Sequence, residues 1–466
     1  MSDNINRLLI FQIVVVATIG GFMFGYDSGV INGTQKGLEA AFNLGRLGIG
    51  INVGAILLGS AIGAFGAGRL SDLIGRRATM MVSAVLFILS AILAAGAQSS
   101  EVFIIARIIG GLGVGAASVT SPVYISEVTP ANIRGRLSSI QQVMIIAGLT
   151  GAFVANFVLA RYAGGSTEPL WGDYAAWRWM FGLQVIPAAI YLVALCFIPE
   201  SPRYLVVKGH DDRAHGVLAR LFGTEEATRK VAEIRASLAA DHHRPKLLDL
   251  VDKTTGRIRP ILWAGIGLAV FQQLVGINVV FYYGATLWEA VGFTEDYALQ
   301  TNILSGVLSI GACLLAIALI DKIGRKPLLL IGSAGMAVTL GVVAWAFSTA
   351  VPTPSGGLTL PGNSGLIALV SANLYVIFFN ISWGPVMWVM LGEMFPNQIR
   401  GSALAVAGFA QWTANAAISV SFPSLAVSPG LAVTYVFYAL AAVVSFFFVK
   451  AMVNETRGRE LEDMQG

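Results

Sequence analysis

Two ionisable side chains interrupt long apolar stretches of this chain: Asp27, in FGYD (24–27), and Arg107, at the head of RIIGGLGVG (107–115). A charge in lipid costs about 2.5–3.5 kcal/mol on insertion scales, so each is a candidate for function. Desolvation and a neighbouring cation act in opposite senses on a carboxyl group, so an acid–arginine pair can sit near a protonation threshold. That is the chemistry of reversible proton coupling. A static bridge tying two helices together is the other reading of the same pair. The four histidines, His210, His215, His242 and His243, all fall in one polar interval. Asp27 is therefore the group left to carry a proton within the apolar part of the chain.

A second set consists of amides and aromatics. FQQLVGINVVFYY (271–283) carries Gln272, Gln273, Asn278, Tyr282 and Tyr283, and Gln142 lies in an earlier stretch. Phe379, Asn380, Trp383, Gly384 and Trp388 follow, then Gln411, Trp412 and Asn415. An amide both donates and accepts, which is what a hydroxyl needs from a partner. An aromatic face suits the C–H face of a sugar ring, apolar with polar edges. A lone amide in such a stretch serves to bond one helix to another. Half a dozen, interleaved with Trp and Tyr, point instead to the lining of a polar cavity. Gln272 and Asn278 do not share a helical face, so their convergence requires the helix to open at Gly276.

The elements that position these groups follow from composition. Of 466 residues, 56% are hydrophobic and only 12% charged, and the mean hydropathy is +0.73. Soluble domains run at about 45–50% and about 25%. Disorder, coiled coil and a disulfide scaffold are excluded by the same figures. Cys196 and Cys313 both sit in apolar stretches and read as small buried hydrophobes. A helix needs about 20 apolar residues to span a bilayer. By that measure spans are expected at 8–30, 48–70, 78–97, 102–125, 138–161 and 176–198. Six more are expected at 261–290, 302–320, 326–349, 364–392, 402–424 and 430–453. The first lacks a small-residue cleavage site and reads as a span, not a removed leader. Between the sets, apolar residues recur at helical spacing (Val217 and Leu221; Val231, Ile234 and Leu238), which predicts short amphipathic helices on the membrane surface.

The expected architecture is an all-α membrane protein with twelve transmembrane helices in two six-helix repeats. Its parts are an N-terminal half (1–198), a helical linker (199–260) and a C-terminal half with a short tail (261–466). With the linker and both termini on one side, 25 Lys and Arg fall there and four, Lys36, Arg46, Arg161 and Arg178, fall opposite. The positive-inside rule makes the rich side cytoplasmic. Basic loops account for the net charge of +4, and no arginine-rich tail or compact basic domain invites a nucleic acid.

The halves also repeat one another. GRLSDLIGRR (68–77) returns as IDKIGRK (320–326), SEVTPANIRGR (126–136) as GEMFPNQIRG (392–401), and PESPRYL (199–205) as NETRGREL (454–461). Parallel repeats in one order are a transporter architecture. The alignment of FGYD with VGIN (275–278) makes Asp27 and Asn278 equivalent, one half keeping a carboxylate where the other presents an amide. The repeated motifs mix signs at helix ends: Asp72, Arg76, Glu127 and Arg134 in one half, Asp321, Arg325, Glu393 and Arg400 in the other. With Glu200 and Arg203 they are expected to pair between the halves and to part when a transporter opens inward. Anchoring alone would explain the arginines but not the acids.

Over almost its whole length the chain resembles the sugar porter family of the major facilitator superfamily. The matching segments are GRLSDLIGRR, RIIGGLGVG, PESPRYL, FQQLVGIN, DKIGRKPL, SWGPVMW and GEMFPNQIRG. The pattern is nearest to bacterial proton-linked pentose and hexose symporters, and human facilitative glucose carriers share it. The resemblance implies sugar contacts from Gln142, Gln272, Gln273, Asn278, Gly384, Trp388, Gln411 and Trp412, with Phe379 and Tyr283 beside them. It implies a proton site at Asp27 with Arg107. The chain departs from the pattern at Ser309, where many members have asparagine, and at Gln184, where the xylose symporter has glutamate. It departs again in the tail, NETRG (454–458) standing where PETKG is usual.

The expectation is a proton-coupled monosaccharide symporter of the cell inner membrane, working by alternating access as a monomer. Its partners are a monosaccharide, protons and the lipid bilayer, with no cofactor and no metal. A facilitative sugar uniporter of the same fold is the alternative, and a transporter-like sugar sensor a weaker one. No nucleophile–base pair suggests an enzyme, so no catalytic residue is assigned.

Overall fold

The computed structural model describes residues 5–240, 250–251, 256–352, 358–396 and 399–457; within these, the side chains of 131–136, 138–139, 237–240 and 400–401 are not described. The amino half comprises α1 (Arg7–Gly29), α2 (Gln35–Phe42), α3 (Arg46–Ile74), α4 (Arg76–Gly96), α5 (Ser100–Val128), α6 (Ala131–Ala163), α7 (Ala176–Gly182) and α8 (Val185–Leu195). The linker forms α9 (Pro202–Val207), α10 (Asp211–Phe222) and α11 (Thr224–Ala240). The carboxy half comprises α12 (Pro260–Leu274), α13 (Ile277–Ala290), α14 (Glu295–Ile323), α15 (Arg325–Ser348), α16 (Ser364–Ile381), α17 (Trp383–Met394), α18 (Arg400–Leu425) and α19 (Leu431–Met452). A two-residue hairpin, Val351–Pro352 with Leu358–Thr359, is the one sheet among the described residues.

Eleven stretches among the described residues are long and apolar enough to cross a membrane. The last, Ser402–Met452, is two spans: helical geometry fails at Ser428 (φ −140°, ψ 108°). Its two arms pack on different neighbours, α18 on α3 and α12, and α19 on α15. The twelve expected spans are thus present. Three of them break in mid-course, at Leu183–Gln184, Val275–Gly276 and Ser382. The break at Gly276 has a direct backbone cause, φ +81°, which a residue with a Cβ rarely adopts. The repeated motif is visible in the same terms: Gly75 and Gly324, with φ +101° and +103°, turn the chain between α3 and α4 and between α14 and α15.

With lipid on the outside there is no hydrophobic drive between helices, and close backbone approach does the work. A Cβ on Gly25 of α1 would collide with the carbonyl of Ile145, and one on Gly148 of α6 with that of Phe22. The halves meet along α3 with α18 and α6 with α14. The linker helices lie against the amino half, where the Asn6 amide donates to the Leu221 carbonyl (2.9 Å) and Tyr204 to that of Leu73 (3.0 Å). Within the interval 199–260 the described helices are α9–α11, and Leu218, Leu221 and Phe222 of α10 are buried. His210 and His215 lie there, while His242 and His243 are outside the described residues.

Candidate functional site

Asp27 sits in the last turn of α1 and Arg107 two turns into α5, and neither side chain is exposed at all. Arg107 Nη1 bonds the Asp27 carboxylate, and its Nη2 donates to the Asp27 carbonyl (2.9 Å). The guanidinium also lies 5.4 Å from the Phe181 ring centroid. Removing one partner from a buried pair of this kind strands the other charge. The second carboxylate oxygen, Asp27 Oδ2, closes no hydrogen bond, so a proton can be placed there without breaking one. Gln184, at the break between α7 and α8, is turned toward this carboxyl but out of bonding geometry.

The amides of the carboxy half form a chain. Gln411 Nε2 donates to Gln272 Oε1 (3.2 Å), as does Gln273 Nε2 (3.1 Å), and Asn278 Nδ2 donates to Gln273 Oε1. Gln272 Nε2 donates to the backbone carbonyls of Trp383 (3.0 Å) and Gly384 (3.4 Å), in the first turn of α17. The open helix at Gly276 is what brings Gln273 and Asn278 together. Trp412 packs against Phe24 of the other half (6.0 Å between centroids), and Phe379 stands over the Cβ position of Gly384. Gln142 is half-buried and Trp388 is 41% exposed. Tyr283 faces elsewhere: its hydroxyl donates to the Ser419 carbonyl (2.6 Å) and its ring packs on Phe422. Ser309 accepts from Asn380 (3.2 Å), so the hydroxyl is part of the polar lining's support.

The charged motifs were expected to pair between the halves when the transporter faces outward and to part when it opens inward; here they close within each half. Arg76 forks onto Glu127 (3.1 Å twice) and reaches Asp72 (2.9 Å). Glu200 caps the amides of Arg76 (2.9 Å) and Arg77 (3.1 Å), and Ser201 bonds Glu127. Arg325 repeats this with Glu393 (3.0 and 2.8 Å) and Asp321 (3.0 Å). Glu455 caps Arg325 (3.0 Å) and Lys326 (2.9 Å), and Thr456 bonds Glu393. Each guanidinium fork is filled by acids of its own half, leaving no free donor face to reach across. Arg203 is exposed and makes no ion pair among the described residues, and the side chains of Arg134 and Arg400 lie outside them.

The polar bonds between halves cluster on the side away from the linker. Asn32 donates to the Phe281 carbonyl (2.7 Å) and accepts from the Ala285 amide (3.0 Å) and Asn302 (2.8 Å). Gln35 bonds the Tyr282 carbonyl and accepts from Thr286 (2.8 Å). Lys36 pairs with Glu289 and stands 4.0 Å from Glu295, which accepts from the Ser166 amide (3.1 Å). Sequence reasoning missed this latch. Its one signal was Glu289, an acid at the end of the expected seventh span.

A family model described as sugar (and other) transporter matches residues 13–466. The chain is 48% identical to a glucose transport protein of Synechocystis sp., covering 99% of this chain and 98% of that one. It is 38% identical to a D-xylose-proton symporter of Escherichia coli, covering 100% and 97%. Among solved structures, the inward-open conformation of the xylose transporter XylE from E. coli aligns with TM-score 0.83 at 37% identity, over 98% of this chain and 99% of that one. The proton:xylose symporter XylE bound to 6-bromo-6-deoxy-D-glucose aligns at 0.78 over the same shares and at the same identity. Closure of the side away from the linker agrees with the inward-open likeness. The chain is a multi-pass membrane transporter, not an enzyme, and it belongs to the sugar transporter family of the major facilitator superfamily.

Proposed function

We propose that this chain is a proton-coupled symporter of a pentose or hexose, working by alternating access and captured here facing inward. The observation that carries this is the fully buried Asp27–Arg107 pair with a free carboxylate oxygen. Protonation at Asp27 loosens its hold on Arg107, and the carrier reorients with proton and sugar together. The amide chain from Gln411 to Asn278 supplies donors and acceptors for sugar hydroxyls, with Gln142, Gly384, Trp388, Trp412 and Phe379 around it. The protein acts as a monomer in the cell inner membrane with both termini and the linker cytoplasmic, divided at 1–198, 199–260 and 261–466. D-xylose-proton and arabinose-proton symporters among its relatives support the substrate class.

A uniporter is the second reading, favoured by Gln184, which cannot hold a proton, and by a relative named only as a glucose transport protein. Uptake of labelled glucose, xylose and arabinose into proteoliposomes, with and without an imposed pH gradient, separates the two. Accumulation that an uncoupler abolishes supports symport. Uptake that stops at equal concentrations whatever the gradient establishes the uniporter and leaves Asp27–Arg107 a structural pair.

A further inference from the structure

The break in the seventh span leaves a buried carbonyl for another helix to hold. In an unbroken helix the Val279 amide would donate to Val275, four residues back. Here it donates to the Gly276 carbonyl instead (3.1 Å). The Val275 carbonyl accepts from the Tyr375 hydroxyl of α16 (2.7 Å). Val275 is fully buried and Tyr375 almost so, and bulk solvent does not reach the bond. The ring of Tyr438, from α19, closes against the break: a Cβ on Gly276 would stand 2.6 Å from its Cδ2.

The amino half carries the matching span without this support. FGYD aligns with VGIN, which makes Gly25 the counterpart of Gly276, yet α1 runs unbroken from Arg7 to Gly29. The 266-residue offset between Glu127 and Glu393 carries Tyr375 back onto Ile109, which has no hydroxyl to offer. A glycine therefore permits the break and does not make it. What the carboxy half adds is a donor for the released carbonyl, which would otherwise be buried without a partner. The amide pairing depends on the same opening. On an unbroken helix, residues five apart such as Gln273 and Asn278 point roughly 140° apart around the axis. Here Asn278 Nδ2 reaches Gln273 Oε1.

We propose that Tyr375 is a positioning residue for the sugar. Its hydroxyl holds the seventh span open at Gly276, and the opening sets Gln273 and Asn278 side by side to meet sugar hydroxyls. Without that hydroxyl, the Val275 carbonyl regains a partner by taking back the Val279 amide, which winds the helix shut and parts the two amides. The role rests on the reading of the amide chain as the sugar site, and the experiment separates the two.

The experiment compares Tyr375→Phe with Tyr435→Phe. Tyr435 packs edge-on against Tyr438 (5.6 Å between centroids), and its hydroxyl has no partner among the described residues. Each variant, and Gln273→Ala, is reconstituted and assayed by counterflow of whichever of labelled D-glucose, D-xylose and arabinose the wild type carries. Tyr375→Phe is expected to raise the half-saturating concentration about fivefold at an unchanged maximum rate. Tyr435→Phe should match wild type. Combined with Gln273→Ala, Tyr375→Phe should add less than it does alone, because the amide it positions is gone. An unchanged half-saturating concentration in Tyr375→Phe, where Gln273→Ala raises it, overturns the role of Tyr375 and leaves the sugar site standing. Equal rises in the two tyrosine variants, or a maximum rate lost at constant half-saturation, mark a packing role and overturn it too. A Gln273→Ala variant that binds like wild type removes the amide chain as the sugar site, and the role of Tyr375 with it.

Discussion

Glu127 and Glu393 hold the same fork of the same arginine in the two halves, whereas Asp27 and Asn278, equally matched by the repeat, do different things. Every partner in the linker-side modules has its counterpart: Asp72 and Asp321, Arg76 and Arg325, Glu200 and Glu455, Ser201 and Thr456. Inside the membrane the correspondence survives in position only. The 266-residue offset between Glu127 and Glu393 carries Arg107 onto Asn373, so both members of the buried ion pair are asparagine in the carboxy half. Asn278 there joins the amide chain, and Asn373 accepts from Ser305 (2.8 Å). A module that locks helix ends works equally well in either half. A buried charge pair occurs once among these matched positions, and a second would add a desolvation cost of its own.

The largest effect tests that division. Asp27→Asn makes the amino half resemble the carboxy half at this position. We expect it to abolish accumulation against a sugar gradient while sugar still binds and exchanges, read by driven uptake and counterflow in the same vesicles. Arg107→Ala is expected to be worse for the protein itself, lowering yield, because it strands the carboxylate.

Next comes the equality of the linker-side modules. Glu127→Gln or Glu393→Gln breaks a forked, charge-assisted pair, at a cost of about 2 kcal/mol in either half. Glu127 is the more enclosed, with 9% of its side chain exposed against 29% for Glu393, so its variant should melt lower in detergent. An indifferent Glu393 variant would show that the geometric copy is not an energetic one.

The carboxy half is where sugar recognition should be lost. Gln272 is the node of the amide chain, and Gln272→Ala is expected to weaken sugar binding about tenfold, or 1.4 kcal/mol, by calorimetry. Trp388→Ala should do likewise by removing a C–H face. Smaller still is the latch between halves: Lys36→Ala removes a half-exposed ion pair with Glu289 and should move the population outward by about threefold. Cysteine labelling on the far side would rise. No change would leave Asn32 and Gln35 to hold the closure alone.

What the sequence made legible follows the same line. The twelve spans, the linker helices and both charge modules could be read because each is long, periodic or duplicated. The candidate sites were legible by residue type, as rare polar groups in apolar stretches, but not by partner. Tyr283 looked like a sugar contact and donates to a backbone carbonyl, because aromatic character does not say which way a hydroxyl points. The latch at Asn32, Gln35 and Lys36 was hard to read because several of its partners are backbone groups, the Phe281 and Tyr282 carbonyls and the Ala285 amide, which every residue has. The within-half partners of the charged modules were not legible, because sequence gives complementary signs without giving distances.

The smallest expected effect concerns Glu455, the tail's counterpart of Glu200. Burial acts to raise the pKa of its carboxyl, but the amides of Arg457, Arg325, Lys326 and Thr456 outweigh it and hold the group below its ordinary value. A carboxyl depressed in the folded state contributes stability above its unfolded pKa and loses it as pH falls through the folded one. Glu455→Gln keeps the size and the amide acceptor but removes the charge at every pH. The variant should therefore melt below wild type near neutral pH, and the gap should close on acidification below the usual glutamate range. A gap that stays constant or widens toward acid would mean that the tail is held by packing, and that its likeness to PESPRYL is one of shape and not of charge.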